Sequence, residues 1–512
     1  MIAIWNNPEF IRNVRAQLRP GKVIATACIC AAISIAVGFA AASQPRPAAG
    51  PYRWGFQLFQ IAFWLQALIV VVGGGIACIN NIYREKEQNT FDYQRVTRLT
   101  PLELTMGKLF GAPVFTYFVS LCLMPLAIFA VVKAELRISM VLAVYVALLV
   151  STLAVHMLAL LISLLTVRGS HTGAILLLLV LVWGASFSDN NSQFFRIGPL
   201  GPFYSTELLQ QASSDGSAFT DVGGSYRNPR YMDIFFGHQV HHFPVFLAVN
   251  LLFSGWFLLA LARNIKRDQN DYEIYSPLQA LTFALFLNLL FVAFMQWRTA
   301  TAVDCQSFLL TLNIGVFSCL GLAAIRNRQR MRRILHAVEG TWAALLAKLW
   351  PAPLIIGGAL PAGLLIVFGV AMGRDPRLEW NVDFAVLRTM FFVAWITRDM
   401  QFLQWMGLRR GKHPLVMGVL FLVVFYVCVS ILMASLGVYS RPERTPFSAF
   451  FVPSAIYVLD HSAWALRPAI WVAAFIAQWV LVAVFIALQR QSIEELDSSA
   501  SAPVAATVAA QS

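Results

Sequence analysis

The stretch Tyr83–Lys108 reads YREKEQNTFDYQRVTRLTPLELTMGK. It carries eight charged residues ahead of Lys108, and long apolar runs flank it on both sides. What those runs are decides the fold. The 512-residue chain is 58% hydrophobic and only 12% charged, with a mean hydropathy of +0.67. A soluble domain carries about 25% charged residues, needed to cover its surface. Many of the runs reach the roughly 20 residues that a helix needs to cross a bilayer. They are continuous, whereas the strands of a membrane barrel alternate apolar and polar residues over segments of about 10. The expectation is an all-α polytopic membrane protein.

About twelve spans are predicted. Six lie near Val23–Ala42, Gln57–Asn80, Leu109–Val132, Ser139–Thr166, Gly173–Phe187 and Phe243–Ala262. Six more lie near Pro277–Gln296, Cys305–Ala324, Pro351–Met372, Phe384–Met406, Pro414–Leu436 and Pro468–Leu488. This divides the chain into a six-helix unit (1–262), a second six-helix unit (263–488) and a tail (489–512) whose Ala, Ser and Pro content predicts disorder. An even number of spans puts both termini on one side. Most of the 38 Lys and Arg residues fall in the loops of that side, which the positive-inside rule assigns to the cytoplasm. The net charge of +13 therefore marks topology, together with contact to anionic lipid, and no nucleic-acid partner is expected. The densest cluster, Arg326–Arg333, anchors this orientation.

Ahead of the first span, Asn7 and Pro8 suit the cap and first position of a helix. Phe10, Ile11, Val14 and Leu18 share one face of it, with Arg12, Arg15 and Arg19 off that face. This predicts a basic amphipathic helix lying along the membrane surface.

Within Tyr83–Lys108 the local chemistry is specific. The second span is expected to continue as a helix through Glu87, where Asn89 can adopt a left-handed conformation and end it. Thr90 can then cap a short helix from Phe91 to about Arg98, with Asp92 in its first turn. Thr100-Pro101-Leu102-Glu103 is a capping box with Pro at the first helical position, so a further helix starts at Pro101 and runs into the third span. Gly107-x-x-x-Gly111 would let another helix approach closely. Phe91, Tyr93, Val96 and Leu99 among Asp92, Arg95 and Arg98 form a docking element suited to a soluble partner.

The same stretch resembles the cytoplasmic signature of type-2 ATP-binding-cassette (ABC) exporter permeases. The residues that carry the resemblance are Arg84-Glu85-Lys86-Glu87-Gln88-Asn89-Thr90-Phe91-Asp92, then Thr100-Pro101-Leu102, then Gly107-Lys108. Asn89 stands where that family prefers Gly, and both tolerate the same backbone. The order also matches: an elbow helix, two spans, the signature, four more spans. The resemblance covers residues 1–262, and the loop 188–242 sits where the family places short re-entrant helices before its sixth span. It implies a permease of an ATP-driven exporter in a plasma or inner membrane. The permease would work with a separate ABC ATPase subunit, with or without a homo- or heterodimeric permease partner. Coupling would fall to Glu85, Glu87, Thr90, Phe91, Asp92, Tyr93, Arg95, Thr100, Pro101 and Glu103. The second half shows no second copy of the signature; Arg326–Arg333 followed by Trp342–Lys348 bears only a weak likeness to an elbow, and the sequence leaves open whether residues 263–512 form a divergent second permease unit or an appended bundle.

The chain has no phosphate-binding loop of its own. Gly407-Leu408-Arg409-Arg410-Gly411-Lys412-His413 has the wrong glycine spacing and lacks the hydroxyl residue after Lys. No nucleophile–base pair stands out, so neither enzymatic activity nor a cofactor is expected. His238-x-x-His241-His242 is the one metal-like cluster and is read as interfacial. His156 is read as making an interhelical hydrogen bond, Gly73-Gly74-Gly75 as a packing site, and the seven cysteines as buried packing thiols. Buried acids are scarce, which weighs against an ion-coupled secondary transporter, the main alternative. A non-transport accessory subunit is the other.

Overall fold

A computed structural model describes residues 6–43, 51–165, 174, 177–178, 232–235, 238–267, 275–294, 302–326, 328–337, 340–372, 382–409, 414–438, 445–453 and 467–509. The chain is an all-α polytopic membrane protein, with one short hairpin among the described residues. Among the described residues ten helices are long and apolar enough to cross a membrane. Two of the twelve predicted spans are not among them. The fifth, 173–187, lies mostly outside the described residues. The tenth is a helix, Val382–Leu408, but it carries Asp383, Arg388, Arg398 and Asp399.

The chain divides into Met1–Ile274 and Tyr275–Ser512, so the boundary falls later in the loop than 262. The first unit contains α1 (Pro8–Gln17), α2 (Pro20–Ser43), α3 (Pro51–Ala67), a π-helical turn (Leu68–Gly73), α4 (Gly74–Glu87), α5 (Phe91–Arg95), α6 (Pro101–Gly111), α7 (Val114–Lys133) and α8 (Ile138–Leu165). The hairpin β1 (Met232–Phe235) and β2 (His238–His241) leads into α9 (His242–Asn264). β1 and β2 are antiparallel, with Met232 opposite His241 and Phe235 opposite His238. The re-entrant helices expected elsewhere in 188–242 lie outside the described residues. Within the unit α7 packs on α2 and α3, and α8 on α4 and α9. Phe59, Phe63 and Val71 are wholly buried in this core.

The second unit contains α10 (Pro277–Phe294), α11 (Ala302–Ala324), α12 (Arg328–Ala337), α13 (Thr341–Lys348), α14 (Ala352–Met372), α15 (Val382–Leu408), α16 (Pro414–Ser435), α17 (Thr445–Ser448) and α18 (Pro468–Ala509). α15 is central and packs on α11, α14, α16 and α18.

Three expectations are corrected. The tail is helical to Ala509, because Ala, Gln and Glu are strong helix formers and propagate α18 past its span. The helix starting at Pro101 does not run unbroken into the third span. It stops at Gly111, and Pro113, which has no N–H to donate, separates it from α7. The cysteines are not all packing thiols: Cys30 and Cys78 are buried, but Cys28, Cys319 and Cys428 lie on outer helix surfaces.

Candidate functional site

The break–helix–break shape of Tyr83–Lys108 is present, and each break has a hydrogen-bonded cause. α4 ends at Glu87 with Asn89 left-handed at φ 55°. The Asn89 N–H donates to the Lys86 carbonyl at 3.1 Å and the Thr90 N–H to the Glu85 carbonyl at 2.9 Å, the paired bonds of a Schellman stop. Thr90 was expected to cap α5. Its side chain makes no cap bond there, and its Oγ1 donates to the Glu85 carbonyl at 3.2 Å instead. α5 is accordingly short and stops at Arg95. The capping box is complete. The Glu103 N–H donates to Thr100 Oγ1 at 3.2 Å, and the Thr100 N–H to Glu103 Oε2 at 2.8 Å. Bonds from the Thr100 N–H and hydroxyl hold the Glu103 carboxyl below its usual pKa.

The predicted coupling residues separate into a buried base and an exposed tip. Phe91 is 2% exposed, with the Arg95 guanidinium 4.9 Å from its ring centre. Phe91 therefore holds α5 down and is not a docking anchor. Tyr93 is 75% and Val96 83% exposed, and Asp92 also faces out, 2.7 Å from the Arg95 guanidinium. Glu87 is exposed, and Pro101 is half-buried at the start of α6.

Glu85 is spent inside the fold. Its carboxylate pairs with the fully buried Lys108 and with Arg12. Lys108 also reaches Glu9 at 3.1 Å, which Arg12 contacts at 2.7 Å. Asn13 donates to the Glu9 carboxylate at 3.1 Å, and Asn81 donates to the Asn13 side-chain carbonyl at 2.9 Å. Two carboxylates thus face two cations, the buried Lys108 and the half-exposed Arg12. A buried ion without such partners would carry a desolvation cost of several kcal/mol.

This network turns α1 over relative to the expectation. Asn7 caps α1 as predicted, accepting from the Glu9 N–H at 2.9 Å. Its buried face, however, is the polar one: Asn7, Glu9 and Asn13. Phe10, Ile11, Val14 and Leu18 are only half-buried. α1 crosses α6 at the predicted Gly107-x-x-x-Gly111. A Cβ on Gly107 would lie 2.8 Å from Asn7 Oδ1, and one on Gly111 2.9 Å from Asn13 Cβ. Asn7 also donates to the Glu103 carbonyl at 2.6 Å and Gln17 to that of Ala112 at 2.8 Å, so α1 is stitched along α6. Sequence reading missed this because Lys108 was read only as half of a Gly-Lys pair, and its partners lie 99 and 23 residues away.

Deeper in the unit, His156 makes the interhelical bonds expected of it. Its Nε2 is 2.9 Å from the Val70 carbonyl, which can only accept. Nε2 therefore carries the proton, and Nδ1 accepts from the Tyr117 hydroxyl at 2.9 Å. Val70 belongs to the π-helical turn, and a Cβ on Gly74 would collide with the His156 ring. The Gly73–Gly75 run is thus a packing site, as read.

The second unit holds a buried polar cluster on α15. Arg398 donates to Asp399 from Nε at 2.8 Å, to Gln478 at 2.8 Å and to the Tyr426 hydroxyl at 2.5 Å. Tyr426 donates to the other Asp399 oxygen, and the Arg398 guanidinium stacks 3.8 Å from the Trp395 ring centre. Among the described residues no group of three His, Cys, Asp or Glu converges on a metal position.

Compared with family models, with curated proteins and with solved structures, the chain matches none.

Proposed function

We propose that this chain is the membrane-spanning permease of an ATP-driven exporter, coupled through Tyr83–Lys108 to a separate ABC ATPase subunit. The reading places both termini in the cytoplasm of a cell with this protein in its plasma or inner membrane. The observation that carries it is the division of the segment into a rigid base and a bare tip. Glu85 and Lys108 tie α4 to α6, and the buried Phe91 seats α5 beside them, its ring centre 5.8 Å from Lys108 Nζ, while Tyr93 and Val96 stand out, 75% and 83% exposed. Exposed side chains on, and just past, a short anchored helix outside the spans fit a pocket on a partner. A push on that helix passes to the spans as a rigid shift, because a buried ion network resists deformation. ATP hydrolysis would reside on the partner.

The test is capture and coupling. A photo-reactive side chain at position 93, irradiated in native membranes, is expected to trap an ATP-binding protein. Tyr93→Asp with Val96→Asp is expected to abolish ATP-stimulated transport with the protein still folded. Full retention of coupling in that double variant would remove the docking role.

A second reading draws on Arg398–Asp399–Tyr426–Gln478. A charged cluster among helices is a feature of ion-coupled transporters. Transport in ATP-free vesicles, driven by a proton or sodium gradient and lost in Asp399→Asn, would establish that reading over the first.

A further inference from the structure

The two units share an internal order of neighbours. With 173–187 counted as the fifth run of the first unit, its first helix packs on the third (α2 on α7). Its second packs on the third and fourth (α3 on α7, α4 on α8), and its fourth on the sixth (α8 on α9). In the second unit the same pairs pack in the same order: α10 on α14, α11 on α14 and α15, and α15 on α18. Unit two adds a third-on-fourth contact, α14 on α15.

Two polar ties also recur. In the first unit the end of the second helix is bound to the end of the fourth by Lys86 Nζ, which donates to the carbonyls of Ser163 at 2.8 Å and Leu164 at 2.7 Å. In the second unit the Gln404 amide joins the same two helices, bonding the N–H and the carbonyl of Arg326 at 2.9 Å each. The sixth helix, for its part, reaches the segment between the second and third. Lys266 Nζ, just past α9, donates to the Thr97 carbonyl at 2.9 Å. Gln489 on α18 donates to the carbonyls of Lys348 at 3.1 Å and Trp350 at 3.0 Å, and Met331 of α12 packs against Ile493. Each segment is broken by a residue with positive φ, Asn89 at 55° and Gly340 at 102°.

We infer that the second unit is a diverged copy of the first unit's bundle, and that Arg328–Lys348 is its counterpart of Tyr83–Lys108: a second docking surface, for an acidic face of the same soluble partner. This rests on the proposed docking role of Tyr83–Lys108. Packing order survives sequence change because cores tolerate substitution when volume and pattern are kept. A short signature on a loop has no such protection, so it can vanish while the bundle persists. The surface itself has an anchored base and an exposed tip. Met331 is fully buried, whereas Trp342 is 77% exposed and Arg332 faces out. Trp and Arg are the residues that dominate docking contacts. The basic character of α12 selects an acidic face, in contrast to the mixed charge around α5.

The experiment installs a photo-reactive side chain at position 342 of the full chain, in parallel with position 93, and irradiates native membranes. The trapped proteins are identified by peptide mass and by labelling with a photo-reactive ATP analogue. The inference expects the same ATP-binding protein at both positions, and at least a tenfold lower yield at 342 in Arg332→Glu with the yield at 93 unchanged. Trapping of that protein at 93 but only lipid, or nothing, at 342 overturns the inference and leaves the proposed function standing. An unchanged yield at 342 in Arg332→Glu overturns the acidic-face assignment. Failure to trap an ATP-binding protein at 93 removes the proposed function, and this inference with it.

Discussion

Lys108 is the residue on which the first unit's local order depends. It is wholly buried, and its charge is tolerated only because Glu9 and Glu85 meet it. Removing one member of such a group leaves an uncompensated buried charge, typically at about 3–5 kcal/mol. Lys108→Met is therefore expected to lower the unfolding midpoint in detergent sharply. Adding Glu85→Leu should recover most of the loss, since Glu9 keeps Arg12 as its partner. Gln94 makes the opposite case. It is 8% exposed, and its amide nitrogen and oxygen have no hydrogen-bond partner among the described residues. An unpaired buried amide destabilises by about 1–3 kcal/mol, so Gln94→Met should raise the same midpoint. Glu103 brings pH dependence. Its folded pKa is depressed, so its contribution is present above the ordinary Glu value of about 4.3 and is lost as pH falls through the folded value. Unfolding midpoints of wild type and Glu103→Gln, compared between pH 6 and pH 3, should converge at the acid end.

At the scale of elements, two devices shape the segment: a Schellman stop after α4 and the close crossing of α1 over α6. Asn89 sits at φ 55°, where a β-branched residue is strained, so Asn89→Val is expected to cost about 1–2 kcal/mol and Asn89→Gly little or nothing. Gly111 allows α1 its approach, because any side chain there meets Asn13. Gly111→Leu should release α1 from α6, read as faster hydrogen exchange over residues 8–17 with α7 and α8 unaffected. Both effects were half legible in advance. The caps and the small-residue motif identify themselves by residue type and spacing, since their geometry is local. Which helix fills the Gly107–Gly111 groove was not legible. α1 displays an apolar stripe that points to lipid, and its polar stripe has no meaning until α4 and α6 bring Glu85 and Lys108 beneath it.

At the scale of the molecule, ten described helices meet the length and apolarity of a membrane crossing, so the chain should stay in the membrane fraction after an alkaline wash. The outward-facing Cys28, Cys319 and Cys428 lie on such helices, and the bilayer should shield them from a water-soluble maleimide until detergent is added. Rapid labelling of all three in intact vesicles would contradict the membrane placement. Among the described residues α15 is a further long helix, less apolar than these ten because it carries Asp383, Arg388, Arg398 and Asp399, and the bundle buries Arg398 by giving it Asp399, Tyr426 and Gln478.

The amino-acid sequence by itself determined the fold class, the approximate spans, the helix caps at Asn7 and Thr100, and the left-handed break at Asn89. Each of these follows from hydrophobic run length or from hydrogen bonds between residues a few positions apart. Only the tertiary structure decided which charges pair, which face of α1 is buried, that Phe91 is a foundation and Tyr93 a tip, and that the second unit repeats the neighbour order of the first. The physical reason is range. A carboxylate in a polar loop looks the same in sequence whether solvated or buried, and only the packing of distant helices removes the water and supplies the partner.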